Sequence, residues 1–168
     1  MIKIRKNLIC GFFDMLYENW KGRTDMIYTD LTKKALRISF AAHKDQFDKS
    51  GIPYVYHPYE VASGFDTEDE VCVALLHDVV EDTDMTFDDL AREGFGENVI
   101  GALKLLTHSD DTPYFEYVKA VKQNPLAKAV KLADLRHNST RSRMNVITDW
   151  DEKRYAKYAT AIKMLTED

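Results

Sequence analysis

Apolar residues recur every three or four positions along most of this chain, while strand-like alternation of useful length is absent. Ile4, Leu8, Phe12 and Leu16 stand four apart and predict a helix over residues 4–19, followed by the polar linker KGRTDM. Leu31, Ala35, Ile38 and Ala42 give one face of a second helix, from Thr29 or Asp30 to Phe47. Ser50, Gly51 and Pro53 then predict a loop, and His57 before Pro58 suits the first turn of a short helix to Ser63. Thr67 and Glu70 have capping-box spacing and open a helix that carries His77 and Asp78. Thr86 opens another, ending near Gly94, and residues 96–107 read as helix. Thr112–Pro113 and Asn124–Pro125 are cap and first-turn pairs, the second opening the helix that carries Asp134 and Asn138. Asp149 is expected to cap a last helix to Leu165. Hairpin signals of the Asn-Gly or Asp-Gly type do not occur. The pattern predicts an all-α, single-domain bundle over 29–168, with a helical extension over 1–28.

Composition narrows the class without naming it. A chain of 168 residues suits one domain with its own core. Hydrophobic residues at 45% and charged residues at 30% are ordinary for a globular protein. A net charge of −5 without any strongly basic stretch argues against a nucleic-acid partner. Cys10 and Cys72 are the only cysteines, and Cys72 in VCVALL is expected to be a buried free thiol. The cytoplasm is the natural compartment for such a thiol. The N-terminus is too polar after residue 13 for a signal peptide or a spanning helix, so no membrane partner is expected. A packing helix is the reading there, with an amphipathic surface helix as the alternative. Nothing in the pattern opposes a homo-oligomer.

Three separate places carry the chemistry: His57 in YVYHPYEVA, His77–Asp78 in ALLHDVVEDT, and Asp134 with Asn138 in KLADLRHN. A carboxylate inside an apolar run such as ALLHDVV is costly unless paired or bound to a cation. Taken as one helix, positions 77, 78, 81 and 82 span an arc of about 140°, presenting an imidazole and three carboxylates on one face. Asp134 and Asn138, four apart, share a stripe of their own helix. Two imidazoles and two carboxylates make an N2O2 set without thiolate, which suits Mn²⁺ or Fe²⁺ ahead of Zn²⁺ or Mg²⁺. Such a set leaves coordination positions open for hydrolysis, with Glu81 and Asp82 as proton carriers. His43 and His108 read as surface or boundary histidines. His137 reads as a group behind the ligands or in packing rather than a ligand. Asp66, Asp69, Asp84, Asp88 and Asp89 read as solvated helix-start charges.

At these motifs the chain resembles the HD-domain metal-dependent phosphohydrolases, and within them the hydrolase domain of RelA/SpoT-type alarmone enzymes and their small stand-alone homologues. The resemblance covers about residues 30–165 through AAHKDQFDKSGIPYVYHPYEVA, HDVVEDT and VKLADLRHN, in the family's order and spacing. It implies an all-α HD-domain bundle that hydrolyses guanosine 3′,5′-bis(diphosphate) to the 5′-nucleotide and pyrophosphate with Mn²⁺. It also implies metal ligation by His57, His77, Asp78 and Asp134, and a catalytic carboxylate pair in Glu81 and Asp82. Asn138 matches a residue of the substrate pocket, and Lys49, Ser50, Pro53 and Tyr54 match the loop that lines the nucleotide. A phosphorylated nucleotide is thus the implied partner, and hydrolysis without synthesis the implied activity, because no synthetase domain accompanies these motifs.

The chain departs from the family's pattern at the base-reading loop. Asp48 stands where an arginine usually packs on guanine, Ile52 where a glutamate precedes the proline, and Ser139-Thr140-Arg141 where the alarmone enzymes read M-R-T. Asp48 would oppose an approaching polyphosphate, so weaker discrimination of guanine from adenine is expected. The competing readings are an HD hydrolase of another small phosphoester (an adenine alarmone, NADPH or a deoxynucleoside monophosphate) and a regulatory module that binds a nucleotide without turnover. Intact Glu81 and Asp82 speak against the second.

Overall fold

The structure is a computed structural model that describes residues 27–109 and 111–167. The expected helix over 4–19, its linker and Cys10 lie outside the described residues. In chain order the helices are α1 (Asp30–His43), α2 (Tyr56–Ala62), α3 (Glu68–Leu76), α4 (Val79–Asp82) and α5 (Phe87–Arg92). Then come α6 (Glu97–Leu106), α7 (Tyr114–Lys122), α8 (Pro125–Asn138), a 3-10 turn at Arg141–Arg143, and α9 (Asp149–Thr166). Among the described residues there is no strand, only an isolated bridge between Phe47 and Pro53. The bundle is all-α, as the periodicity predicts.

Threonine hydroxyls start four of these helices. Thr29, Thr86 and Thr148 form reciprocal capping boxes with Thr32, Asp89 and Asp151, each contributing about 1 kcal/mol. Asn124 caps α8 with Pro125 at its start, as expected, accepting from the Ala127 N–H at 2.9 Å. Three caps differ from expectation. Thr148 rather than Asp149 caps α9, because its hydroxyl reaches the Asp151 N–H while Asp149 already lies in the first turn. Pro113, with ψ 133°, sits outside α7 and takes the cap position expected of Thr112. Glu70 receives the Thr67 hydroxyl at 2.6 Å instead of the backbone N–H a full capping box would use.

Two helices end earlier than their periodicity suggests. α1 stops at His43, four residues short of Phe47, because the Gln46 N–H turns back to the His43 carbonyl and Tyr54 N–H takes the Gln46 carbonyl. The loop so closed is held by Asp48, whose Oδ1 accepts the Ser50 and Ile52 N–H groups at 2.8 and 2.9 Å around Gly51 at φ +80°. α3 stops at Leu76, so His77 and Asp78 do not lie within one continuous helix. The His77 Nδ1–H donates to the Ala74 carbonyl at 2.8 Å, capturing the acceptor that the next backbone N–H would use. α4 then restarts with Asp78 as its cap residue.

The core gathers on α3, whose VCVALL run is buried throughout. α3 packs against α1, α2, α6 and α8, and α8 in turn meets α2, α6, α7 and α9. The buried line of α1 is Thr32, Ala35, Ser39 and His43, more polar than the expected stripe, of which Ala35 alone is fully covered. His43, expected at the surface or boundary, is only 1% exposed. Cys72 is a buried free thiol, pushed up to about 12 by burial with help from Glu68 and Asp69. No helix among the described residues is long and apolar enough to cross a membrane. Leu75 is 1% exposed in the last turn of α3, so Leu75→Ala should cost about 3 kcal/mol in urea unfolding while the helical far-UV spectrum persists.

Candidate metal centre and adjoining clefts

Three helix ends meet at the polar centre of the bundle. α2 brings His57 in its first turn, the α3–α4 junction brings His77 and Asp78, and α8 brings Asp134. His57 Nε2 lies 3.5 Å from Asp78 Oδ2 and 3.3 Å from Asp134 Oδ1. His77 Nε2 lies 3.1 Å from Asp78 Oδ2 and 3.9 Å from Asp134 Oδ1. His57, His77 and Asp78 present ligand atoms within 4.8 Å of one another, a spacing that fits a single metal ion. His77 Nε2 is buried yet makes no hydrogen bond, an unpartnered nitrogen facing two carboxylates. The donor set therefore fits a divalent cation with nitrogen and oxygen ligands.

Electrostatics holds both carboxylates ionised. Burial alone would raise Asp78, but the imidazoles of His77 and His57 hold it far below the usual range. Burial opposes Asp134 in the same way, and Lys131 at 2.9 Å, aided by the imidazoles, keeps it well below. Lys131 is itself held protonated well above its usual value by Asp134, against the cost of its burial. Burial would lower the His77 imidazole, yet Asp78 and Asp134 raise it to about 9. The Tyr54 hydroxyl donates to Asp78 Oδ2 at 2.6 Å, and burial with Asp78 keeps that phenol protonated. Asn138 donates to Asp134 Oδ1 at 2.5 Å, so it acts on the carboxylate as well as lining the clefts.

Glu81 lines a cleft of about 280 Å³ that also holds His77, Asp78, His108, Lys131, Asp134 and Lys157 in its wall. Its Oε2 accepts the His108 N–H at 3.0 Å. His108 is half-buried, as a boundary residue should be, and packs edge-on against Tyr117. Asp82 follows one turn after Asp78 and is raised by partial burial and by Asp78 and Glu81. Gln46, held by His43 Nδ1–H at 2.8 Å, donates to the Asp82 carbonyl at 3.1 Å and ties α1 to this turn.

A second cleft of about 320 Å³ adjoins the first through Tyr54, Asn138 and Tyr158, and adds Lys49, Arg143, Arg154 and Phe47. Lys49 lies 3.5 Å from Asp151 and 3.6 Å above the Trp150 ring. Ser50 spends its hydroxyl on the Arg143 carbonyl at 2.6 Å. Asp48 is not a free charge facing the cleft: Arg143 pairs with its Oδ2 at 3.2 Å. That pairing removes the reason for expecting it to repel a polyphosphate. His137 sits behind His57, Nδ1 to Nδ1 at 2.6 Å, and partial burial with His57 and Arg143 lowers it to about 4.

Lys131, Arg143 and Gln46 are neighbours of the site that sequence reasoning passed over, and His43 is one that it read as a surface or boundary histidine. Lys131 was within reach, since it precedes Asp134 by three on a helix. Arg143 carries no local signal, because its partner Asp48 is 95 residues away.

A helical bundle built around a His–His–Asp–Asp cluster is the HD-domain arrangement. No protein-family model matches the chain. It is 35% identical over 134 residues to guanosine-3′,5′-bis(diphosphate) 3′-pyrophosphohydrolase MESH1 of Mus musculus, covering 71% of this chain and 74% of the relative. The MESH1 protein of Drosophila melanogaster is 32% identical over 148 residues, covering 80% and 82%. The solved structure of a metazoan ortholog of SpoT, described as hydrolysing ppGpp and acting in starvation responses, matches with a TM-score of 0.64 and 28% identity. That match covers 83% of this chain and 85% of the other. The chain belongs to the MESH1 family of guanosine-3′,5′-bis(diphosphate) 3′-pyrophosphohydrolases.

The raised His77 sets a pH dependence. An unfolded imidazole loses its proton near 6.5, while the folded one keeps it to about 9. The stability this contributes is complete below pH 6.5 and disappears as pH rises through about 9. Thermal melts of the chelator-treated protein should fall in Tm across that window. A divalent ion bound at this nitrogen would take the place of the proton, so melts in excess Mn²⁺ should lose this fall.

Proposed function

We propose that the chain hydrolyses the 3′-pyrophosphate of guanosine 3′,5′-bis(diphosphate), with one Mn²⁺ held by His57, His77, Asp78 and Asp134. The observation that carries the reading is the buried, unpartnered His77 Nε2 aimed at two ionised carboxylates, in a chain of this family. A thiolate-free N2O2 set favours Mn²⁺ or Fe²⁺ over Zn²⁺ or Mg²⁺. When bound, the ion supplies the Lewis acidity that makes water nucleophilic near neutral pH.

Water adds to the phosphorus that bears the ribose 3′-oxygen, the bond to that oxygen breaks, and pyrophosphate leaves the 5′-nucleotide with a free 3′-hydroxyl. Asp82, raised above ordinary carboxylates, takes the proton of the attacking water, and Glu81 across the turn assists its return to the leaving 3′-oxygen. Lys157 faces the pyrophosphate from the wall that Glu81 shares. Lys49 and Arg154 give the second cleft its positive edge, and Phe47 and Tyr158 its aromatic surface, so the nucleoside lies there. Tyr54 and Asn138 stand where the two clefts meet and orient Asp78 and Asp134. Ser50 acts indirectly, by fixing the backbone of Arg143. The buried free thiol of Cys72 supports a cytoplasmic setting.

Asp78→Ala should lose Mn²⁺ and turnover together while the circular dichroism spectrum survives. Elemental analysis finding one metal per chain in that variant would refute the ligand set. Glu81→Gln and Asp82→Asn should each keep the metal and lose kcat by about 10²-fold. Near wild-type kcat in both, followed as pyrophosphate release, would make them structural charges.

A further inference from the structure

We infer that Arg143, acting through His137, fixes the protonation pattern of His57 and thereby prepares its Nε2 to bind the metal. The inference rests on the reading of His57 as a ligand and adds two positioning residues to it.

Hydrogen-bond direction settles the pattern. A guanidinium can only donate. Arg143 Nη1 lies 3.0 Å from His137 Nδ1 and 3.3 Å from the His137 carbonyl, so His137 Nδ1 is an acceptor. His57 Nδ1 lies 2.6 Å from that same nitrogen, so His57 must carry its hydrogen on Nδ1. In its neutral form that ring offers its Nε2 lone pair to a cation placed beside Asp78 and Asp134, which lie at 3.5 and 3.3 Å. Behind a metal-bound histidine the usual acceptor is a carbonyl or carboxylate, which has no choice of role. An imidazole can present either tautomer, and here the permanent donor Arg143 removes that choice. Arg143 is anchored in turn by Asp48 Oδ2 at 3.2 Å and by the Ser50 hydroxyl on its carbonyl. The loop at 48–52 is thus joined to the metal site by a chain of directed hydrogen bonds, and the acidic residue in that loop is its anchor.

The charge of Arg143 gives the test its sign. A cation near the site repels a second cation, so a purely electrostatic role predicts tighter metal binding once it is gone. The positioning role predicts weaker binding. Mn²⁺ alone is titrated calorimetrically into the metal-free full chain, without nucleotide, and metal-free thermal melts verify folding of each variant. Arg143→Met should weaken Mn²⁺ binding by about tenfold or more. Arg143→Lys, still a permanent donor, should recover most of the loss. His137→Leu should weaken binding similarly, His137→Gln should retain an acceptor and recover, and Arg143→Met with His137→Leu should be no worse than His137→Leu alone. Should His137→Leu fail to fold, the opposed signs at Arg143 still decide. Unchanged or tighter binding in Arg143→Met, or losses that multiply in the double variant, would overturn the inference while leaving the metal site intact. A wild-type chain that takes up no Mn²⁺ would overturn the ligand assignment and this inference with it.

Discussion

Two carboxylates a few ångström apart, Asp134 buried and Asp78 half-buried, govern the design of this molecule. Asp78 and Asp134 both carry charge inside a helical core, and isolated charges there would not survive folding. Each has a fixed set of partners that makes it tolerable: Lys131, Asn138 and two imidazoles for Asp134, Tyr54 and the same imidazoles for Asp78. Those partners come from α2, α8, the α3–α4 junction and the loop before α2, so the helices around the site converge to satisfy the same two charges. The cluster still leaves one nitrogen, His77 Nε2, without a hydrogen bond. The donors so arranged fit one divalent cation, in keeping with a hydrolase of this family.

The break between α3 and α4 is where local chemistry overrides periodicity. VCVALLHDVVED reads as one helix by spacing, and nothing in its apolar pattern marks position 77. The imidazole of His77 ends α3 by taking the Ala74 carbonyl, and the same contact leaves Nε2 as the face turned to the carboxylates. One side chain thus terminates a helix and selects its own coordinating nitrogen.

Features whose cause lies within a few residues were legible in the sequence. The Asn124–Pro125 start of α8 and the buried thiol of Cys72 follow from short-range signals, whereas the gathering of His57, His77, Asp78 and Asp134 was legible through the order and spacing of three separate motifs. What escaped has causes distant in the chain. α1 ends at His43 because Tyr54 reaches back to Gln46, and His43 is buried because it serves Gln46 and, through it, Asp82. Asp48 looked like an exposed charge because its counter-ion is supplied from beyond α8. The polar line Thr32, Ser39 and His43 on the inner side of α1 shows the same limit. Pattern reading assigns apolar residues to the inside, while this helix turns polar groups toward a polar centre.

The loop that Asp48 organises bears on how strongly a ligand can be held. Its carboxylate already occupies the Ser50 and Ile52 amides and the Arg143 guanidinium before anything enters the cleft. Ordering a flexible segment on association consumes part of the interaction energy. A loop set in advance returns that share to the ligand, so the acidic residue that seemed hostile to a polyphosphate works as a preorganising brace, and the rim of the cleft acts as a rigid template.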